Sequence, residues 1–267
     1  MRRRAVLLLL LACVALGVPA AGAAPPTLTP GVLVVGVDMP SPGFQVGAVK
    51  GSQVLVARGF EISLARVLAV RLGVPAVRFY QEGQFPRLFS AGAKPWDMAI
   101  AQITITPKRQ TTAVFSTPYL SADQGVLLSK LTATAPKTVV ALRALPLCAL
   151  AGSTGADLIA SQILPTRKPL LAGNVTLLMQ AVQTGRCGAA IYDAPSLATL
   201  KTQAPGRYGA LVGVIATGEQ YGVALPQGSE LTPAVNDAIA GLIADGTIAR
   251  LQKQWLSTTV ASLPVLR

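Results

Sequence analysis

The feature that most limits what this chain can become is an alternation that occurs twice: short apolar runs suited to buried strands, followed by segments with helical spacing. In the first series "VLVVGVD" (32–38) is β-branched and apolar without polar alternation, the pattern of a strand covered on both faces. The loop "MPSPGF" follows, and "GFEISLARVLAVRLGVP" then puts apolar residues at helical spacing from Phe60 to Leu72, stopping at Gly73 and Pro75. Val77 to Tyr80 reads as the second strand, "GQFPRLFSAGAKPW" as a short helical turn, and "DMAIAQI" (97–103) as the third strand. The second series starts at "LPLCALAGSTGADLIASQIL", a strand, a Gly-Ser-Thr-Gly turn and a helix. It continues through "KPLLAGN" and the helical "VTLLMQAVQTG" to the strand "GAAIYDAP". Such alternation predicts an α/β fold of mainly parallel sheets flanked by helices.

Two series in 267 residues favour two lobes over one core. The halves meet near "DQGVLLSK" (Asp123 to Lys130) and again near "EQYGVALPQ" (Glu219 to Gln227), so the second lobe reads as an insertion into the first. Residues 28–124 and 222–267 are expected to form lobe 1, and 125–221 lobe 2. The last block, "SELTPAVNDAIAGLIADGTIARLQKQWL", has a capping signal at Ser229 and a break at Asp245-Gly246, giving two helices that return to the first lobe.

Arg2 to Arg4, the apolar run Ala5 to Val18 and the small residues Ala21-Gly22-Ala23 form a secretory signal over 1–23. The run is shorter than the roughly 20 residues of a membrane span. The expectation is a soluble, exported protein, periplasmic or secreted, with a lipoprotein anchored at Cys13 as the alternative. Net charge is +12, but the cations past the leader are scattered singly and aromatics make up only 5%, so nucleic acid is not an expected partner. There is no histidine, and no metal or cofactor is expected. Past the leader only Cys148 and Cys187 remain. They stand at the starts of two lobe-two strands in an oxidising compartment, and a disulfide between them is expected.

Open α/β sheets bind ligands beyond the carboxyl ends of their strands. The residues at those exits are Asp38, then Thr104, Thr106 and Arg109, then Gly152 to Gly155, and finally Tyr192 with Asp193. An arginine fork matches a carboxylate bidentately, and Thr104 can add to it. The Gly152-Ser153-Thr154-Gly155 turn offers free N–H groups to the same anion, and Asp193 suits an ammonium. An anion clamp facing an ammonium acceptor across a cleft describes the backbone of a free amino acid.

The blocks "GFEISLARVLAVRLG", "DMAIAQITITPKRQTTAVFSTPYL", "LAGSTGADL", "AAIYDAP", "EQYGVALPQGSEL" and "VNDAIAGLIADGTIARLQKQWL", in this order, resemble the amino-acid-binding class of bacterial extracellular solute-binding proteins, family 3. The resemblance covers nearly all of the chain after the leader. It implies the two-lobed type II periplasmic binding fold, and a non-catalytic, monomeric receptor that captures a free amino acid and hands it to a membrane ABC permease. Carried over residue by residue, it assigns the ligand carboxylate to Arg109, Thr104, Ser153 and Thr154, the ammonium to Asp193 with the carbonyl of Gln102, and the ligand side chain to Asp38 and Phe85.

Ser41 stands where relatives have a stacking aromatic, and Phe85 aligns only with one extra residue before Trp96. Gly188-Ala189 replaces a common Asp-Ala. Leu150 stands where some relatives have a lysine, which disfavours glutamate, while Asp38 favours a polar or cationic ligand. Phe44, Trp96 and Trp255 read as packing, Tyr221 as a hinge residue and Lys108 as solvated. Two rival functions share the fold: an exported dehydratase acting on a prephenate-like acid, and a detached ligand sensor.

Overall fold

A computed structural model describes residues 25–74 and 76–267. The expected signal segment 1–23, and Cys13 within it, lie outside these residues. No helix among those described is long and apolar enough to cross a membrane.

In chain order the elements are β1 (Val32–Val37), β2 (Val46–Lys50), β3 (Gln53–Arg58), α1 (Phe60–Arg71), β4 (Ala76–Gln81) and β5 (Met98–Ala99). Then come α2 (Pro107–Gln110), β6 (Val114–Phe115), β7 (Leu120–Leu128), β8 (Leu147–Leu150), α3 (Thr154–Leu158), β9 (Leu170–Ala172) and α4 (Val175–Gln183). The chain closes with β10 (Ala189–Asp193), α5 (Ala194–Gln203), β11 (Leu211–Tyr221), β12 (Ala224–Leu225), α6 (Thr232–Ala244) and α7 (Thr247–Trp255). Two sheets result, ordered β2-β3-β4-β1-β5-β12-β6 and β11-β7-β10-β8-β9.

Both sheets are mixed, where mainly parallel sheets are expected. The parallel pairs are β4-β1, β1-β5, β10-β8 and β8-β9; every other pair is antiparallel. The difference arises at elements the alternation does not reveal. The β2-β3 hairpin is mostly exposed and lacks a buried apolar stripe. Strand β11 is interrupted by Gly213 and Gly218 and returns beside β7. Helix α5 follows β10 with no loop, entered through Pro195 in its first turn.

The first lobe's core lies between β1 and helices α1, α6 and α7, with Leu33, Val35, Phe60, Leu68, Ile239 and Leu242 buried together. Gly36 in β1 is needed by close approach: a Cβ there would stand 2.8 Å from the Trp96 ring, which is itself buried. The second lobe has its own cluster, including Val126, Leu147, Ile159 and Ile191. A third cluster runs across both lobes, from Phe85, Trp96 and Ile103 to Leu150, Leu178 and Tyr192, so the lobes are packed against each other.

The expected strand 97–103 pairs only at Met98 and Ala99. Beyond them Gln102 takes a left-handed backbone (φ 53), and its N–H donates to the buried Glu61 at 2.6 Å. Helix α6 starts at Thr232 with Leu231 as its cap residue; Ser229 lies outside it and accepts from the Leu231 N–H at 3.4 Å. The chain end also departs from expectation. Leu266 joins the lobe-two cluster and its N–H donates to the Val214 carbonyl at 2.8 Å, so the last residues pack on the inserted lobe. Gly213 in β11 leaves room for it, since a Cβ there would stand 3.0 Å from Leu266 Cγ.

Cys148 and Cys187 form a disulfide with Cα atoms 5.9 Å apart. It joins β8 to the segment entering β10, two neighbouring strands whose far ends carry Leu150 and Asp193.

Candidate ligand-binding site

All eight residues read from the sequence as ligand contacts line a single cavity between the lobes. Asp38, Phe85, Gln102, Thr104 and Arg109 come from the first lobe, and Ser153, Thr154 and Asp193 from the second; Ser41, Leu150, Val175 and Tyr192 also line it.

Arg109 reaches the cavity because "TPKR" is a compact helix start. The Thr106 hydroxyl accepts from the Arg109 N–H at 3.2 Å and Pro107 occupies the first turn of α2. The guanidinium is then held on three sides. It lies over the rings of Phe89 (4.4 Å) and Phe85 (5.3 Å), and donates to the carbonyls of Thr104 (2.9 Å) and, across the cleft, Gly152 (3.1 Å). Two of its five N–H donors are thereby committed to carbonyls, and three are not.

The threonine and serine hydroxyls do something other than face an anion. Thr104 Oγ1 donates to Glu219 at 2.7 Å. Ser153 Oγ donates to the Leu150 carbonyl at 2.7 Å and accepts from the Ala156 N–H at 3.2 Å, so its hydroxyl caps α3. Thr154 Oγ1 also donates to Glu219, at 2.6 Å.

Asp193, at the end of β10, accepts from Gln124 Nε2 at 2.8 Å. Burial lifts its carboxyl to about 7; the nearby Glu219 adds to the rise, while Gln124 and Arg109 oppose it. At the cavity's other end Asp38 rises to about 6, mainly through burial, with Gln81 holding it back through a long 3.4 Å hydrogen bond. Beneath the floor Glu61 is lifted to about 7 by burial, against donors from the Tyr119 hydroxyl, the Gln102 N–H and the Gln45 amide. Gln102 links the lobes: its amide nitrogen donates to Ser41 Oγ at 2.6 Å, and its carbonyl accepts from Ser196 of α5.

The chain that builds this pocket, with its buried arginine and buried aspartate, matches known proteins over most of its length. Residues 33–258 match the family model of bacterial extracellular solute-binding proteins, family 3. This chain belongs to that family. The L-cystine-binding protein TcyJ of Escherichia coli (strain K12) is 29% identical over 231 residues, covering 86% of this chain and 84% of the relative. An ancestral arginine-binding protein, solved bound to glutamine, superposes with a TM-score of 0.74 at 28% identity, over 85% of this chain and 98% of that one. The ancestral amino acid-binding protein AncCDT-1, a precursor of cyclohexadienyl dehydratase, gives a TM-score of 0.71 at 29% identity, over 85% and 96%.

In this solute-binding protein the side chains that sequence reading passed over are those that support the cavity from behind. Gln81 was within reach of the strand-exit rule, since it ends β4. Phe89 lies one helical turn from Phe85 and completes the seat of the guanidinium. Glu61 sits in the first turn of α1, where an acid is usually solvated, yet it is 1% exposed. Gln124, Ser196 and Glu219 had no local signal. Each enters through long-range pairing of β7, α5 and β11 with the rest of the site. Phe44, Trp96 and Tyr221 are buried and Trp255 packs on the first lobe's core, whereas Lys108 is exposed.

Proposed function

We propose that this protein is a receptor for a free L-amino acid with a polar or cationic side chain, acting outside the cytoplasmic membrane as a monomer that delivers its cargo to an ABC-type permease. The observation that carries the proposal is that Arg109 and Asp193, opposite in charge, buried and contributed by different lobes, line one cavity without an ion pair between them. Buried charges without partners are costly. A zwitterion supplies both partners at once: its carboxylate takes the free donors of Arg109 and the backbone N–H groups of Gly152 and Thr154, the Ser153 N–H being spent on the Leu150 carbonyl, and its ammonium takes Asp193. The ligand side chain then runs toward Asp38. Binding by such a cleft proceeds by lobe closure, for which periplasmic binding proteins are a general example. Here the hinge is the paired start of β7 and end of β11, where Leu120 lies opposite Tyr221.

The ligands of the relatives, cystine for TcyJ and arginine or glutamine for the ancestral protein, fit this side-chain range. The reading is tested by thermal unfolding of the purified protein with each common L-amino acid and L-cystine. Arginine, lysine, histidine or glutamine should raise the melting temperature, as a ligand of the folded state must. A shift from leucine alone would contradict the placement of Asp38.

A second reading has one observation in its favour. Cavity carboxyls at about 6 and about 7 are proton donors near neutrality, as a dehydratase requires. Incubation with prephenate separates the two: a receptor returns it unchanged, and an enzyme releases a decarboxylated aromatic product.

A further inference from the structure

Glu219 belongs to none of the roles above, although it contacts three residues around the ammonium end. It stands on β11 just after an irregularity in the β11-β7 ladder between Ile215 and Glu219. Gly218, with φ +63, makes that turn, and Asp123 accepts from the N–H groups of Thr217 (2.8 Å) and Gly218 (3.0 Å). Bulges of this kind re-aim the side chain that follows, and Glu219 is thereby turned toward both lobes. Its Oε2 accepts from Thr104 at 2.7 Å and from Thr154 at 2.6 Å, while its Oε1 accepts from Gln124 Nε2 at 3.0 Å.

A carboxylate offers only lone pairs, and a hydroxyl has a single proton. Both threonines must therefore spend that proton on Glu219, and what they present to the cavity they line is lone pairs. Gln124 is oriented in the same way: its amide nitrogen donates to Asp193 (2.8 Å), to Glu219 (3.0 Å) and, at 3.3 Å, to a lone pair of the Thr154 hydroxyl.

We propose that Glu219 is a positioning residue that fixes the hydrogen-bond polarity of this end of the site. It converts Thr104 and Thr154 from donors into acceptors, which with Asp193 form an all-acceptor cradle. The cradle admits an α-ammonium and rejects a second carboxylate, an α-keto oxygen or any group that only accepts. The ligand can then lie in one direction only, carboxylate toward Arg109. This rests on the amino-acid reading above and adds the means by which the site chooses α-amino over α-hydroxy acids. The assignment also revises the expected role of Thr104, whose hydroxyl serves the ammonium and not the carboxylate.

The test measures dissociation constants by titration calorimetry for L-arginine and L-glutamine, each against its own α-hydroxy acid, on wild type, Glu219→Gln and Thr154→Val. Wild type should favour the amino acid by about 100-fold. In Glu219→Gln the new amide donates to one threonine, which then turns its proton into the cavity, and the preference should fall about tenfold. Thr154→Val removes one polarised hydroxyl, leaves Glu219 its contacts with Thr104 and Gln124, and should also lower the preference. If Glu219→Gln weakens the amino acid and its hydroxy acid in parallel, or if neither variant changes the preference, Glu219 is structural glue and the proposal is wrong. If wild type itself shows no preference, the amino-acid reading falls and takes this proposal with it.

Discussion

The two ends of the cavity are built to different standards. At one end Arg109 is stacked on two rings and bonded to two carbonyls, and Asp193 shares Gln124 with Glu219, which in turn holds threonines from both lobes. At the other end Asp38 has one side-chain donor, Gln81, at 3.4 Å, and Ser41 lines the cavity at the position where a stacking aromatic is expected. Under the proposed function, the crowded end is pre-organised to read what all amino acids share. The sparse end leaves the side chain weakly specified, so it sets breadth of selectivity more than affinity.

The contrast would be broken most decisively at Arg109. Replacing it with alanine leaves a bound carboxylate unpaired in a closed cleft, a loss of about 2–5 kcal/mol in binding. Calorimetry that finds the variant within about threefold of wild type would show that the crowded end does not hold the ligand. Asp193→Asn should cost nearly as much, because the amide cannot replace the charge facing the ammonium.

The disulfide tests whether the crowded end depends on a stapled scaffold, since it joins the strands that lead to Leu150 and Asp193. Its sequence separation of 39 residues corresponds to about 4 kcal/mol of stability in the chain-entropy view. A Cys148→Ser, Cys187→Ser double variant should unfold at distinctly lower denaturant, with a much smaller change in affinity. Equal denaturation midpoints would show that the bridge contributes nothing.

A smaller effect is expected at the sparse end. Asp38→Ala should weaken L-arginine by about tenfold and leave L-leucine unchanged or slightly tighter, because the apolar ligand no longer buries an unpaired carboxylate. If both ligands weaken equally, Asp38 is part of the common machinery and the contrast disappears.

The last effect is that of pH. Asp193, Asp38 and Glu61 ionise at about 7, 6 and 7 in the folded, unliganded protein, above their ordinary values of 3.8, 3.8 and 4.5. A carboxyl raised by folding adds stability that is complete below its unfolded value and is lost as pH climbs through the folded one. The unliganded melting temperature should therefore fall between about pH 4 and 7.5. Ligand affinity should move the opposite way, since the ammonium needs Asp193 ionised. It should weaken by less than tenfold per unit as pH drops from 8 to 6. Ligand-induced stabilisation that is flat across this range would contradict the pairing.

How much of this was legible in the sequence follows the same division between local and long-range causes. The strand ends and helix starts that carry Asp38, Arg109, Ser153 and Asp193 are written in a few consecutive residues, and the elements form there. The hydroxyl directions are not. Thr104 and Thr154 look like donors to an anion until a ladder irregularity over a hundred residues after Thr104 aims Glu219 at them. Ser153 reads as an anion contact, yet its hydroxyl is consumed by the helix it caps. The mixed sheets escaped notice for a related reason. Strand β11 and the β2-β3 hairpin lack the uninterrupted apolar pattern of β1, so their existence depends on neighbours that only the fold supplies.

The central claim, that the crowded end recognises an α-amino acid backbone, is tested most directly by titrating wild-type protein with L-arginine and with agmatine, which differs only by lacking the carboxylate. The two share the guanidinium that would face Asp38, so the comparison isolates the group assigned to Arg109. Agmatine should bind at least about 30-fold more weakly than L-arginine, the lower bound for losing one partner of a buried charge pair. Agmatine binding as tightly as L-arginine would contradict the claim, because a carboxylate would then have no part in recognition.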